Sequence, residues 1–201
     1  MRIGIDAHIL TPQHKRHNPY FAEFTEQLIQ HVIAADTKQE HEWVLFFDSR
    51  LKDTKRFEGP NVKIQHFPFV QYRMYLPVLY SHMLISGYLT AARLDLFHSP
   101  EGLIPFTYPG KIITNFHYIP RGAAESNLFV RTFMLGAKVA FKQLCRRAQR
   151  IIVRTENDKK LLHDIHGYPL NHVVVMGNDI EKINWKNRAK KLIKLYEEVG
   201  G

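Results

Sequence analysis

The chain is short of cysteine and of long apolar stretches, and both shortages limit where it can work. Cys145 is the only cysteine among the 201 residues, so no internal disulfide can form, which fits the reducing cytoplasm. No run reaches the roughly 18 apolar residues that a membrane-spanning helix needs. Arg2 is followed by a short apolar run that Asp6 interrupts, which argues against a signal peptide. We therefore expect a cytoplasmic protein.

Acidic residues are also few. The chain has 19 Asp and Glu against 28 Lys and Arg, which gives a net charge of +9 at pH 7. This surplus favours anionic partners, including a membrane surface that the protein would bind peripherally; a merely solvated basic surface is the alternative. Aromatic residues do not interleave the basic clusters and nucleic-acid-binding motifs are absent, so we expect no nucleic-acid partner. The clusters are Arg146, Arg147 and Arg150, and Lys186, Arg188, Lys190, Lys191 and Lys194.

Several familiar signatures are missing. The dinucleotide-binding G-x-G-x-x-G, the Walker A loop, the H-E-x-x-H metal motif and the G-x-S-x-G nucleophile elbow do not occur. Two histidine pairs, His14 with His17 and His163 with His166, have one-turn spacing but no third ligand near them in sequence. Nothing in the sequence places a base beside Cys145, which is therefore expected in the core. The sequence predicts neither a cofactor nor a metal site.

What the chain does contain is an alternation of short apolar runs with longer amphipathic segments. Near-continuous apolar strands separated by helices are typical of a parallel sheet that is covered on both faces. The pattern predicts an α/β fold with a single Rossmann-like, doubly wound, mostly parallel sheet of about seven strands and helices on both faces. The predicted strands are Arg2–Ala7, Glu42–Phe47, Val62–Phe67, Asp95–His98, Lys111–Asn115, Arg150–Val153 and Val173–Met176.

Helix signals fill the spaces between these strands. Asn18 and Pro19 predict a capped helix start. Thr155 predicts a second capped start, for a helix that runs through His166 and stops at Gly167. A basic loop is expected before the first of these helices. The remaining predicted helical segments are Arg73–Arg93, which contains Pro77, then Asn127–Arg147 and the amphipathic Asn184–Val199.

In a doubly wound sheet, functional residues lie in the loops at the carboxyl ends of the strands, which here follow residues 7, 98, 115 and 153. His117 lies in such a loop, where it could donate to a substrate hydroxyl or phosphate or stabilise charge that develops in group transfer; a packed loop histidine is the alternative. His98 also ends a strand, and for it a structural hydrogen bond to a loop is the stronger interpretation. Asp6 is expected to brace the following loop through backbone N–H groups.

Five segments keep a characteristic order and spacing: MRIGIDAHIL at 1–10, DLFHSP at 95–100, IITNFHY at 112–118, RIIVRTE at 150–156 and VVVMGN at 173–178. Together they resemble the N-terminal domain of GT-B glycosyltransferases, most closely the family-4-type retaining group. The tail, WKNRAKK at 185–191 and LYEE at 195–198, resembles the helix that closes back on that domain in the full-length enzymes. The resemblance covers nearly the whole chain. It implies an acceptor-side domain at 1–178 and a closing helix at 179–201, packed together as one structural domain.

The chain also departs from that family. Only eight residues, Gly177–Asn184, stand where the family has a whole nucleotide-sugar domain, and the paired glutamates of that domain are absent. The glycine-rich turn expected after the first strand is replaced by Thr11–Asn18. The resemblance therefore implies an acceptor-binding half of a hexosyltransferase, truncated or engineered and inactive alone. A natural minimal protein is the less favoured origin.

The resemblance also implies site residues and partners. His117 corresponds to the family's catalytic histidine, although Tyr118 follows it where an aspartate or similar residue is usual. A sugar or lipid-linked acceptor is the implied partner, and a nucleotide-sugar would bind only with the missing second domain. The residues expected to bind the acceptor are His8, His98, Ser99, Glu101, Tyr118, Arg154 and Glu156.

Two other functions are compatible with the sequence. A non-enzymatic scaffold domain would use its basic surface to bind an anionic membrane or another polyanion, and the lost glycine turn would then reflect abandoned chemistry. A self-associating half would instead pair its exposed cleft wall with another copy.

Overall fold

The computed structural model describes residues 1–68, 83–119, 141–143, 145–177 and 180–201. Within these ranges, seven strands form one sheet in the order β3-β2-β1-β4-β5-β6-β7, and every pair of neighbours is parallel. The predicted fold class is therefore confirmed. The strands are β1 (Arg2–Asp6), β2 (Glu42–Asp48), β3 (Val62–Phe67), β4 (Leu96–Ser99), β5 (Ile112–Phe116), β6 (Arg150–Val153) and β7 (Val173–Val175).

Helices connect the strands. Short 3₁₀ turns lie at His8–Leu10, Lys55–Phe57, Leu170–His172 and Ile180–Lys182. Of the predicted helix at 73–93, residues from 83 onwards are described, and a helix covers Ile85–Ala91. Of the predicted helix at 127–147, only 141–143 and 145–147 are described, and 141–143 and 145 are helical. The α-helices within the described ranges are α1 (Pro12–His17), α2 (Pro19–Ala35), α3 (Ile85–Ala91), α4 (Glu156–His166) and α5 (Trp185–Gly200).

The helix ends test the local sequence signals. The Thr155 side chain accepts from the Asp158 backbone N–H at 3.1 Å, and Gly167 ends α4 with a left-handed φ of 64°, so both predictions are confirmed. The predicted capping role of Asn18 is wrong, because its side chain makes no capping hydrogen bond. The helix α2 begins at Pro19 without a side-chain cap.

The loop predicted at residues 11–18 is also wrong, because it contains α1. Pro12 supplies the fixed φ that suits a first helical position, and the Lys15 N–H donates to the Thr11 carbonyl at 2.9 Å to close the turn. The residues that follow Pro12 are mostly good helix formers. A short helix therefore stands where the resembled family has a glycine-rich turn.

Alternating residues of the strands belong to two separate hydrophobic cores, one on each face of the sheet. On β2, Trp43, Leu45 and Phe47 face one side of the sheet, while Val44 and Phe46 face the other. The first side is covered by α2 and α5, and the second by α3 and α4. Both faces are thus buried, which is why the strands are apolar along their whole length.

The last helix packs back on the same domain. Leu192 and Tyr196 are buried in the core that α5 shares with α2, and Trp185 and Ile193 pack at its edge. The proposed boundary between residues 178 and 179 lies outside the described ranges, so the division into domain and closing helix stays a prediction.

Replacing Leu192 tests whether α5 is an integral part of the domain. Leu192 is 1% exposed, so Leu192→Ala should leave a cavity and lower the free energy of unfolding by about 2–5 kcal/mol. Lys194→Ala, on the exposed side of the same helix, should change it by less than about 0.5 kcal/mol. Urea unfolding followed by circular dichroism measures both. Small and equal changes in the free energy of unfolding in the two variants would show that α5 does not pack on the sheet.

Candidate functional site

Chain reversal in the sheet places a crevice between β1 and β4. The connection from β1 leads to β2 on one side, whereas β4 lies on the other side of β1, so the loops after these two strands diverge. Open parallel sheets bind ligands at such a position, outside the carboxyl ends of the strands. His8, Ser99 and Glu101 lie at this edge, and His117 follows the neighbouring β5.

His8 joins two carboxylates at the crevice. Its Nδ1 lies 2.7 Å from Asp6 Oδ1, and its Nε2 lies 3.0 Å from Glu101 Oε2. A carboxylate oxygen only accepts, so both contacts are hydrogen bonds when the ring carries both protons or when one carboxyl holds a proton. Asp6 Oδ1 also accepts from the His8 backbone N–H at 3.1 Å, which confirms the predicted bracing role. The buried pair Asp6 and His8 thereby fixes the Glu101 carboxylate, whose side chain is 27% exposed.

His98 lies beneath the crevice rather than in it. Its ring is fully buried, Nε2–H donates to Asn115 Oδ1 at 3.0 Å, and Nδ1 accepts from the Tyr196 hydroxyl at 2.5 Å. Burial lowers the pKa of His98 to about 4, and the charge of Arg188 acts in the same direction, so the ring is neutral at pH 7. His98 thus links β4, β5 and α5. Its contact with an acceptor stays a prediction, and in this structure the ring exposes no surface.

His117 lies at the edge of the crevice in an aromatic setting. Its ring centroid is 4.8 Å from those of Phe21 and Phe24 and 5.6 Å from that of Tyr20. Burial lowers the pKa of His117 to about 4, so the ring is neutral at pH 7. Nε2–H donates to the Pro100 carbonyl at 2.8 Å, which leaves Nδ1 with acceptor character.

Arg188 reaches the same region from α5. Its guanidinium donates to the carbonyls of Met176 and Gly177, just after β7, and lies 5.0 Å from the Phe24 ring centroid. The interpretation of Arg188 as part of a basic surface cluster is wrong, because the residue is only 5% exposed. Burial lowers its pKa to about 10, which still leaves it charged at pH 7. Its positive charge helps to keep His98 and His117 neutral.

The remaining predicted residues lie at the rim. Arg154 pairs with Asp158 at 3.2 Å, with nearly half of its side chain exposed, and its charge contributes to the low pKa of His117. Tyr118 is 68% exposed. Glu156 is exposed in the first turn of α4, and no described contact joins it to the crevice. The structure therefore groups His8, Glu101 and His117, with Arg154 nearby.

Two polar groups at the strand ends are buried without a hydrogen-bond partner in the described part of the chain. They are the Ser99 hydroxyl and the Asn115 side-chain nitrogen, on residues that are fully buried. Buried polar atoms are nearly always paired in native proteins, so unpaired ones at a crevice indicate water or a ligand group. Ser99 was predicted as a site residue, whereas Asn115 was not.

Sequence reasoning missed Asn115, Arg188 and Tyr196. A signal was available on α5, because positions 188 and 196 share a helical face with Trp185 and Leu192 and should therefore face the sheet.

For Asn115 the signal in the sequence was weaker. His98 pairs with Ile113 in register, so Asn115 lies two residues further on the same face of the sheet, but the register is not readable from sequence.

Other candidate chemistry receives no support. Among the described residues, no group of three or more His, Cys, Asp or Glu is placed to hold a metal ion. Burial raises the pKa of the Cys145 thiol to about 12, in agreement with the predicted core position. No helix in the described ranges has the length and apolar character required to cross a membrane.

The backbone resembles two solved structures, whereas no protein-family model and no curated protein matches the chain. A structure of sucrose-phosphate synthase from Thermosynechococcus elongatus has a TM-score of 0.57 at 14% identity, and the match covers 100% of both chains. The chain has a glycosyltransferase-like fold. A glycosyltransferase from Rickettsia africae ESF-5 has a TM-score of 0.43 at 12% identity, and 98% of this chain covers 48% of that one.

The buried histidines predict a pH-dependent stability. Unfolded histidine has a pKa near 6.5, against about 4 for folded His98 and His117, so the unfolded chain binds more protons between these values. Stability therefore falls as the pH falls through this window, and between pH 7 and pH 5 each ring should account for roughly 2 kcal/mol.

Urea unfolding at several pH values measures this dependence. In His117→Gln, the free energy of unfolding should depend less on pH than it does in the wild type. The control His17→Gln, at an exposed position, should reduce this pH dependence less than His117→Gln does. Identical slopes for the wild type and His117→Gln would contradict the neutral, buried assignment of His117.

Proposed function

We propose that this chain is the acceptor-binding half of a two-domain, nucleotide-sugar-dependent glycosyltransferase of the family-4-type retaining group, and that it is inactive alone. In the parent enzyme, a sugar would pass from a nucleotide-sugar to an acceptor hydroxyl in a cleft between two domains. The crevice at the carboxyl ends of β1, β4 and β5 would form the acceptor wall of that cleft. Retention of configuration follows from the resemblance of the sequence segments to that group.

The observation that carries the proposal is the likeness to the sucrose-phosphate synthase structure over the full length of both chains. The present chain consists of a seven-stranded sheet, a short link and a final helix that packs on the α2 face. The shortness of this link, where the resembled family has a whole domain, supports the interpretation that a second domain is missing between residues 177 and 184.

The crevice has chemistry that suits a hydroxyl-rich acceptor. Glu101 presents a carboxylate that accepts hydrogen bonds from hydroxyls, and Asp6 and His8 hold it in place. His117 lies near this carboxylate, and the exposed ring of Tyr118 offers a face on which a sugar or a lipid chain can pack. A few polar groups converging beside apolar surface are typical of small-molecule sites.

The isolated half is expected to be inactive because sugar transfer needs a bound and positioned donor. Positioning of the donor and electrostatic stabilisation of the leaving phosphates supply most of the rate enhancement in such a reaction. α1 occupies the place of the glycine-rich turn that would bring backbone N–H groups to those phosphates. The neutral His117 would then contact the acceptor or the transferring sugar without being able to drive the reaction alone.

Binding of simple acceptors tests this proposal. The ¹⁵N-labelled chain would be titrated with glucose and mannose, and with their octyl glycosides below the micelle concentration as lipid-linked probes. Amide signals of Glu101, Gly102 and residues 116–118 should shift and saturate. Glu101→Gln should weaken binding about tenfold, which corresponds to about 1.4 kcal/mol, because a charged acceptor is replaced by a neutral amide.

Glu58→Gln is the matched control, since Glu58 is exposed and lies beyond β2, away from the crevice. It should bind the probes like the wild type. Shifts centred elsewhere on the chain, or an equal loss in both variants, would contradict the assignment of the acceptor wall.

A further inference from the structure

A cavity lies after β7, and neither Glu101 nor His8 is among its described lining residues. It has a volume of about 410 Å³ and opens where the chain enters α5. We call it the β7 pocket. Its polar lining residues are Gly177, Lys182, Asn184, Asn187, Arg188 and Lys191.

The lining of the β7 pocket is strongly basic. Lys182, Arg188 and Lys191 contribute three cationic groups, and Asn184 and Asn187 add side-chain amides that can donate hydrogen bonds. None of the described residues that line the pocket is acidic. A concave surface lined by one sign of charge concentrates ions of the opposite sign more strongly than a flat surface with the same charges.

The pocket wall is built by contacts that hold its shape. The Arg188 guanidinium, on a residue only 5% exposed, donates to the carbonyls of Met176 and Gly177, so α5 is tied to the end of β7. Gly177 has a positive φ of 45°, which turns the chain away from the strand at this point. Asn184 caps α5 by accepting from the Asn187 N–H at 3.1 Å. These contacts place the cationic groups around a defined cavity instead of leaving them dispersed along a helix.

The start of α5 adds to the positive potential. The helix has 16 residues and no acidic residue in its first turn, so the partial positive charge of its N-terminus is not neutralised there. Helix N-termini and lysine or arginine side chains together are the groups that bind phosphate in proteins. The cavity also exceeds the size of a single phosphate ion, and Val175, Met176 and Ile183 give it an apolar side.

We propose that the β7 pocket binds the phosphate group of a phosphorylated molecule, either a soluble phosphate ester or the headgroup of an anionic lipid. Lys182 and Lys191 contact the phosphate, Asn187 donates to it, and Arg188 maintains the wall. The apolar side of the pocket covers the organic part of the ligand. The pocket adjoins the crevice through Arg188, but none of its described lining residues is among those proposed to bind the acceptor, and the proposal does not depend on the glycosyltransferase proposal.

Titration with inorganic phosphate and with pyrophosphate tests the site directly. Ionic strength is held constant with chloride, and ¹H–¹⁵N spectra are recorded at each step. The backbone signals of Gly177, Asn187 and Lys191 should shift and saturate in the millimolar range. Lys182→Gln/Lys191→Gln should weaken this binding at least tenfold, because two of the three charges are removed.

The matched control is Lys190→Gln/Lys194→Gln. It removes the same charge from exposed positions of α5 outside the pocket and should change the affinity less than twofold. All four lysines are exposed, and the thermal midpoint of each variant checks that the fold is retained. Equal weakening in both double variants, or shifts that never saturate, would show a general counterion effect and overturn the proposal.

Two further binding experiments distinguish the two possible sources of the phosphate group. Glycerol 3-phosphate represents the soluble ester, and vesicles of phosphatidylcholine with phosphatidic acid represent the lipid, with pure phosphatidylcholine vesicles as the blank. Loss of binding in Lys182→Gln/Lys191→Gln with glycerol 3-phosphate assigns the pocket to soluble esters. The same loss with acidic vesicles alone assigns it to lipid headgroups. No pocket-dependent binding in either arm would overturn the proposal.

Discussion

The packing of α5 against the sheet is the interaction on which the candidate site depends. This helix delivers the Tyr196 hydroxyl to His98 and the Arg188 guanidinium to the carbonyls after β7. Both groups are buried, and neither could be placed by the strands themselves. A helix that merely covered an apolar surface would need only residues such as Leu192, so its polar contacts show that it also organises the carboxyl edge of the sheet.

The charges at this edge fall into two regions. Around His98 and His117, burial together with Arg188 keeps the rings neutral, so they act as hydrogen-bonding groups of fixed direction. Around His8, the carboxylates of Asp6 and Glu101 face the ring from both sides, at 2.7 Å from Nδ1 and 3.0 Å from Nε2. The braced Glu101 carboxylate suits a hydroxyl ligand. The separate basic pocket after β7 suits an anion.

The sheet was predictable because its strands are apolar on both faces, so that short continuous runs stand out between helical segments. Local signals with a definite stereochemical cause also held, as at Thr155 and Gly167. Residues 11–18 were misjudged because their polar, basic composition resembles a loop, while Pro12 and the residues after it favour a helical turn.

The contacts of the site were harder to predict, because they depend on how distant elements meet. Arg188 was assigned to the surface from its basic neighbours, although its position on the apolar face of α5 should have decided otherwise. The link from Tyr196 through His98 to Asn115 joins α5, β4 and β5, and it needs both the strand register and the docking of the helix. His8 and Glu101 were each expected as acceptor-binding residues from the resemblance, but the bridge that the His8 ring forms between Asp6 and Glu101 was not predicted.

The central claim is that this chain has the acceptor wall of a glycosyltransferase and no donor site. The most direct measurement is calorimetric titration with UDP, GDP, ADP and their glucose or mannose conjugates, set beside pyrophosphate alone. If the donor half is missing, the nucleoside and the sugar add no affinity, and each compound binds no more tightly than pyrophosphate. Binding of one nucleotide about tenfold or more tighter than pyrophosphate would contradict the claim, because this single domain would then hold a nucleotide site of its own.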